Sequence, residues 1–258
     1  DTAMARNIYF IGTAGCGKST MVFAFHEWMD SQGLDAVTVN LDPGAEQLLY
    51  APDIDVRDWI RLSEVMEEHG LGPNGAQVLA ADLLAVNARE IEQVMETFNT
   101  NYFLIDTPGQ MELFTFRESS RVVIDTFGRE DSALVYLNDP ALVKTPSGLI
   151  SSVLLSATTQ FRHVLPFVNV LSKSDLLSEE ELERIVKWSL DPLELYEALM
   201  ADPATPKTLL DVEFMKGMET IGVYRRLHPV SSEAMSGFEE VYSQVQNVFE
   251  GGEDLRPD

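Results

Sequence analysis

Gly12-Thr13-Ala14-Gly15-Cys16-Gly17-Lys18-Ser19 matches G-x-x-x-x-G-K-[ST] in full, and its two flanks decide the fold. Apolar residues 8–11 run into the first glycine, and Thr20 opens an apolar helical pattern behind Ser19. A strand, a glycine loop and a helix start in that order make a phosphate cradle. The glycines let successive backbone N–H groups curl around an anion, and the helix N-terminus adds its partial positive charge. Gly12, Thr13, Ala14, Gly15, Cys16, Gly17, Lys18, Ser19 and Thr20 are therefore the nucleotide-binding candidates. Lys18 is placed to reach the β- and γ-phosphates, and Ser19 to ligate Mg²⁺. The plainer alternative, a glycine-rich turn with a stray lysine, does not explain the strand before it and the helix behind it.

The rest of the chain repeats this alternation. Apolar runs at 8–11, 36–41, 102–105, 133–137, 167–171 and 227–230 read as strands. Amphipathic stretches beginning near Lys18, Gln77, Glu112, Ser147, Glu179 and Ser236 read as helices. The pattern predicts the α/β, three-layer fold of P-loop NTPases: a mostly parallel sheet, helices on both faces and helical insertions. In the longest helix, expected over 77–98, Leu79, Leu83, Val86, Ile91, Val94, Met95 and Phe98 keep one apolar stripe. Two stretches exceed the alternation, at about 43–75 and 178–222; in the second, Asp191-Pro192 and Asp202-Pro203 punctuate short helices. One domain over 4–250 with two insertions is expected, then a frayed tail at 251–258. Asp1-Thr2-Ala3 reads as an addition ahead of a native start at Met4.

Composition narrows the partners. The chain has 258 residues, with 18 Lys and Arg against 42 Asp and Glu, a net charge of −24. Hydrophobic residues at 45% rule out a disordered acidic chain. Without a broad cationic surface, extended nucleic acid and anionic membrane are not expected partners. No apolar run reaches the roughly 18 residues of a membrane-spanning helix, and glycines with Lys18 interrupt residues 8–11 too soon for a secretory signal. Cys16 is the single cysteine, so no intrachain disulfide can form, which fits a reducing cytoplasm. The carboxylate surplus suits a salty or acidic cytoplasm.

Four further loops follow apolar strands. Asp106-Thr107-Pro108-Gly109-Gln110 puts a carboxylate where an NTPase holds its Mg²⁺-linked aspartate, with the Gly109 N–H toward a γ-phosphate and Gln110 on the attacking water. Alone, an Asp-x-Pro-Gly tetrapeptide is more often a β-turn; beside a phosphate loop the catalytic reading leads. Asn40-Leu41-Asp42-Pro43-Gly44 ends the second strand in a similar way. Asp42 is either a turn residue or a metal or water contact at the carboxyl edge, where ligands of open α/β sheets collect. In Leu171-Ser172-Lys173-Ser174-Asp175 the aspartate can accept from guanine N1–H and the exocyclic amine while the Lys173 stem covers the purine. An ordinary helix N-cap explains the same spacing equally well. Ser231-Ser232-Glu233, with Ser232 at its centre, offers backbone contacts to the base edge, or starts a helix.

Taken in order, these motifs, with Pro52-Asp53-Ile54-Asp55-Val56-Arg57-Asp58, Gly72-Pro73-Asn74 and Met111-Glu112-Leu113-Phe114, resemble the GPN-loop GTPases over nearly the whole chain, in the manner of an archaeal-type homodimeric member. Read bare, Gly72-Pro73-Asn74-Gly75 is a tight turn. The resemblance implies a Mg²⁺-dependent GTPase, converting GTP to GDP and phosphate as a nucleotide-switched homodimer. It implies that Asn74 enters the partner's site and joins Asp42, Gln110 and Glu112 around the water. It also implies guanine contacts from Lys173 and Asp175, and Mg²⁺ held by Ser19 with Asp106 or Asp42. Lys18 completes the catalytic set. Two positions depart from the family: Ser172 stands where many GTPases have Asn, and Gly44 where Ala is usual. The family's association with assembly of large complexes, notably RNA polymerase in eukaryotes, makes a nucleotide-gated assembly factor with an unidentified client the second reading. A P-loop ATPase or kinase is the third.

Other residues have simpler explanations. His26, His69, His163 and His228 lack ligand spacing, so surface or cap roles are expected rather than zinc. Trp28 and Met29 continue the pattern of Met21, Val22 and Phe25, as core or as a dimer face. Cys16, next to a helix N-terminus and a lysine, is either a small residue that fits or a reactive thiol. Glu179-Glu180-Glu181 after Ser178 reads as a dipole-favoured first helical turn.

Overall fold

The protein is described from a computed structural model, over residues 5–201, 206–222 and 226–253. In chain order the elements are β1 (Arg6–Gly12), α1 (Lys18–Ser31), β2 (Ala36–Asn40), β3 (Ile54–Asp55), α2 (Leu62–His69), α3 (Pro73–Met95), β4 (Tyr102–Asp106), α4 (Glu112–Thr115) and α5 (Glu118–Phe127). There follow β5 (Ser132–Asn138), α6 (Pro140–Val143), α7 (Pro146–His163), β6 (Phe167–Leu171), α8 (Glu179–Leu190), α9 (Pro192–Met200), α10 (Pro206–Thr220), β7 (His228–Pro229) and α11 (Phe238–Glu253). Among the described residues the sheet has seven strands in the order β3-β2-β4-β1-β5-β6-β7. Every pairing is parallel. The expected α/β architecture is present.

Both faces of the sheet are covered, which is why its strands read as continuous apolar runs. Successive β1 side chains point to opposite faces. Tyr9 and Ile11 enter a cluster with residues of α2, α3, α4 and α5, whereas Ile8 and Phe10 enter one with α1 and α11. Each fully buried side chain such as Phe10 or Phe25 contributes about 1.5–3 kcal/mol. Trp28, half-buried, stacks on Phe25 at 5.7 Å and meets Tyr242 at 5.6 Å, so it packs on the core and docks α11 on α1. A third cluster lies among α6 to α10, where Ile185, Trp188, Leu195 and Met215 pack together.

Several boundaries differ from expectation. β3 was not anticipated, since two residues carry no period. α3 starts at Pro73, not Gln77, because Gly72 is extended and Pro73 fits the first helical position. Its buried line is Ala76, Ala80, Leu84, Ala88, Ile91 and Met95, while Val86 is 74% exposed. Leu79, Leu83 and Val94 only flank the core. Alanines let this helix lie close to its neighbours, and Leu84, Ile91 and Met95 are the large residues that share its centre. The helix expected from Glu112 is broken into α4 and α5 where Arg117 turns extended. α11 continues through Glu253, so the frayed tail at 251–258 is not seen in its first three residues. The rest of that tail, Met4 and Asp202-Pro203 lie outside the described residues.

Asp191 ends α8 and caps α9, its carboxylate accepting from Leu193 N–H at 2.9 Å. Ser178 and Glu181 form a reciprocal capping box at the start of α8. Two of the histidines, His163 and His228, are buried, at 1% and 8% exposure, which corrects the surface reading for them.

Candidate nucleotide site

The loops that follow β1, β2, β4 and β6 gather at the carboxyl edge of the sheet. Gly12 must be glycine: a Cβ there would lie 2.6 Å from Cys16 Sγ and 2.7 Å from the Leu137 carbonyl oxygen. Gly17, at φ 97°, is the left-handed residue that turns the loop into α1. Lys18 is 6% exposed, and its ammonium donates to the carbonyl oxygens of Gly12 (3.0 Å), Thr13 (3.2 Å) and Gly109 (2.8 Å). The lysine thus joins the phosphate loop to the loop after β4. Cys16 is fully buried, and burial pushes its thiol up despite Lys18 nearby. That places it with inert packing thiols.

Asp106 closes β4 and is 1% exposed. Burial raises its carboxyl to about 6, with the Asp42 charge adding, against hydrogen bonding from Ser19 and the charge of Lys18. Tyr50, from the loop between β2 and β3, donates to Asp106 Oδ2 at 3.2 Å. Burial and the Asp106 charge hold the Tyr50 hydroxyl far above its ordinary range, so it remains a donor. A buried carboxylate beside a serine hydroxyl is an all-oxygen donor set of the kind Mg²⁺ takes. Among the described residues no cluster of three or more His, Cys, Asp or Glu could hold a metal. Ser19 and Asp106 therefore fit an ion whose remaining ligands are phosphates and water, the usual habit of Mg²⁺.

Asp42 bridges two loops. Its Oδ1 accepts from Gly44 N–H and its Oδ2 from Gly109 N–H, both at 2.9 Å. The Gly109 N–H assigned to a γ-phosphate is thus engaged by a carboxylate here. Asn40 aligns Asp42, accepting its N–H at 3.0 Å and donating to Asp55 at 3.0 Å. Burial works against the charge on Asp55, but the bonds from Arg57 and Asn40 hold its carboxyl below the ordinary value. Arg57 also donates to the Ala45 carbonyl at 2.8 Å. The motif at 52–58 is therefore a staple for the loop that carries Asp42 and Tyr50. A Cβ at Gly44 would sit 3.3 Å from Asp42 Oδ1 and 3.6 Å from Gln77 Nε2, a close fit that small movements of those side chains would relieve.

Gln110 donates to Gln77 Oε1 at 3.2 Å, and Glu112 opens α4, exposed. Asn74 is exposed in the first turn of α3. The bare turn reading of 72–75 is corrected: the segment is a helix start, and Gly75 needs no left-handed conformation. Within the chain the contact between α3 and the Gln110 loop runs through Gln77, one turn beyond Asn74.

Beside the phosphate loop lies a cavity of about 190 Å³, lined by Cys16, Gly17, Thr20, Ser172, Lys173, Asp175 and Ser232 among others. Asp175 Oδ1 accepts from the Ser231 hydroxyl at 2.6 Å, and Ser231 in turn accepts from Ala234 N–H at 2.9 Å. Asp175 sits in a short 3₁₀ turn, not at a helix N-cap. Lys173 takes a left-handed conformation and donates to the Gly15 carbonyl (2.5 Å) and Asp139 (2.8 Å), so its stem crosses the loop. The Ser172 hydroxyl bonds the Cys16 carbonyl at 2.8 Å, tying this pocket to the phosphate loop. A larger cavity of about 1250 Å³ opens at the other end of β6, near Phe161, Arg226 and Phe249, and includes none of these groups. The sequence reasoning missed Tyr50, Gln77 and Asp139, and it brought Ser231 to the base edge by its backbone, not by the hydroxyl that bonds Asp175. Only Asp139 carried a signal, following an apolar strand as Asp42 and Asp106 do.

A family model described as "Conserved hypothetical ATP binding protein" matches residues 10–251. A GPN-loop GTPase of Pyrococcus abyssi is 34% identical over 91% of this chain and 93% of its own. A crystal structure titled as a GTPase in apo form from the same organism superposes with a TM-score of 0.84 at 32% identity, covering 95% of this chain and 97% of that one. GPN-loop GTPase 1 of Dictyostelium discoideum is 27% identical over 93% of this chain, which spans 60% of that relative's length.

Proposed function

The chain belongs to the GPN-loop GTPase family, and from that premise we propose that it binds Mg²⁺ and GTP at the carboxyl edge and hydrolyses GTP to GDP and phosphate. The observation that carries this reading is the clasp between Asp42 Oδ2 and Gly109 N–H. A γ-phosphate takes the Gly109 N–H and frees Asp42 to accept a proton from the attacking water, oriented with Gln110 and Glu112. Lys18 moves from its three carbonyls to the β- and γ-phosphates. Ser19 and Asp106 hold Mg²⁺, which when bound neutralises charge on the β- and γ-oxygens. Lys173 and Asp175 read guanine, with Ser172 and Ser232 at its rim. Release of phosphate restores the clasp, so the two loops switch with the nucleotide.

The active unit is a homodimer in which Asn74 reaches the partner's site, adding a neutral donor there without an arginine. Its exposure at the first turn of α3 supports that reading. One nucleotide-binding domain with its two helical insertions is the folding unit. The test is a titration with GTP, GDP and ATP, with and without Mg²⁺, coupled to a mass measurement in solution. Mg²⁺-dependent preference for guanine and a dimer mass are expected; equal affinity for ATP and a monomer in every nucleotide state would refute it.

A nucleotide-gated assembly factor in the cytoplasm is the second reading, favoured by the exposed Leu193 (62%), Leu209 (61%) and Leu210 (53%) on α9 and α10. Slow basal turnover that a client protein stimulates is its signature; fast turnover without a partner opposes it.

A further inference from the structure

Tyr50 has no role in the chemistry above, yet the structure takes trouble to place it. The loop between β2 and β3 is fastened on both sides of it. Arg57 holds the Ala45 carbonyl at 2.8 Å on one side. On the other, Asp53 Oδ2 accepts from both the N–H and the hydroxyl of Thr38 at 2.8 Å, and Thr38 Oγ1 accepts from Asp53 N–H at 3.1 Å. Between these fastenings the Tyr50 ring packs against the buried cluster beneath α1, and its hydroxyl meets Asp106 Oδ2 at 3.2 Å. The Ser19 hydroxyl acts on the same carboxylate, favouring its charged form.

A carboxylate can rotate about its final bond, and each rotation offers a different lone pair to an ion. With one oxygen fixed by a half-buried phenol, the rotation is set before any ion arrives. Outer-shell donors of this kind commonly govern metal affinity, at about 10–100-fold per partner. We propose that Tyr50 is a positioning residue of the metal site, its hydroxyl fixing the Asp106 carboxylate in the orientation that, with Ser19, receives Mg²⁺. This rests on the assignment of Ser19 and Asp106 to Mg²⁺ made above.

The experiment compares the intact chain with Tyr50→Phe, which keeps the ring and removes the oxygen. Release of a fluorescent GDP analogue is followed from EDTA through rising Mg²⁺, and melting temperatures are taken alongside. The Mg²⁺ concentration that half-maximally slows release should rise by roughly 10–100-fold in Tyr50→Phe. The release rate in EDTA should stay within about twofold, since phosphate and base contacts do not involve the phenol. A purely structural role would move the EDTA rate and leave the Mg²⁺ midpoint in place. An unmoved midpoint, or a midpoint and EDTA rate that shift together, overturns the proposal. Release from the unaltered chain that ignores Mg²⁺ overturns the metal assignment itself, and Tyr50 falls with it.

Discussion

Base selection can be tested through one atom. Asp175 lines the 190 Å³ pocket with Oδ1 already accepting from Ser231 at 2.6 Å, so the carboxylate cannot rotate freely. Guanine presents two donors to it, N1–H and the exocyclic amine, and hydrogen bonds to a charged acceptor contribute about 1.5–3 kcal/mol each. Asp175→Asn keeps the shape, and its carbonyl oxygen can retain the Ser231 bond. The amide nitrogen then points a donor at a donor. One charged bond is lost and another becomes neutral, a cost of about 3 kcal/mol or roughly a hundredfold in affinity for GDP. Xanthine carries an oxygen where guanine carries the amine, so its diphosphate should gain as GDP loses. The assay is displacement of a fluorescent GDP analogue by GDP, XDP and ADP at fixed Mg²⁺, with melting temperature as the control for folding. A variant that melts normally and binds GDP as before, with no gain for XDP, refutes the assignment of this pocket to guanine.

Three more outcomes are expected. Asn74→Ala should keep GDP binding and lose most turnover; mixed one to one with Lys18→Ala, it should regain about a quarter of wild-type turnover, because half the dimers then hold one complete site. No recovery on mixing, with exchange of subunits verified by mass, refutes action in trans. Burial and nearby arginines hold His163 down to about 4, below its unfolded value, so its contribution to stability is lost as pH falls from about 6.5 toward 4. Asp106, raised to about 6, has the opposite sign, its contribution lost as pH rises from about 3.8 through 6. Denaturant melts of His163→Phe should therefore fall less toward acid than the parent, and parallel curves would count against it. Finally, a net charge of −24 repels itself, so melting temperature should rise with added KCl; a flat series removes the link to a salty cytoplasm.

What could be read in advance was chemistry tied to residue type at fixed spacing. Gly12 to Ser19 and Asp106 to Gln110 have few alternatives when each follows an apolar strand, and the structure sets both on one edge. The α3 face was read in part: Ile91 and Met95 are core and Leu79, Leu83, Val94 and Phe98 pack against it, whereas Val86 is exposed and Ala76, Ala80, Leu84 and Ala88 carry the rest of the buried line. Gly72-Pro73-Asn74-Gly75 resembled a turn because proline presets the same φ for a turn and for a first helical residue. Tyr50 gave no sign, since a loop residue's partner 56 positions away is set by tertiary structure alone. His163 looked ordinary for the same reason: its burial against Phe114, with ring centroids 5.3 Å apart, is a long-range fact.

The three carbonyl contacts of Lys18 have a consequence for selectivity among anions. A lysine waiting free in solvent would be drawn to any phosphate or sulfate in the cell. Here the ammonium has all three of its protons already engaged, so a ligand must compensate all three contacts before it can recruit the charge. A lone orthophosphate reaching the glycine loop offers a single tetrahedron for that exchange; adjoining phosphoryl groups of a nucleotide offer several oxygens along the loop and across to the strand beyond. On the function proposed above, exchanging these three contacts favours a chain of phosphates over a single one.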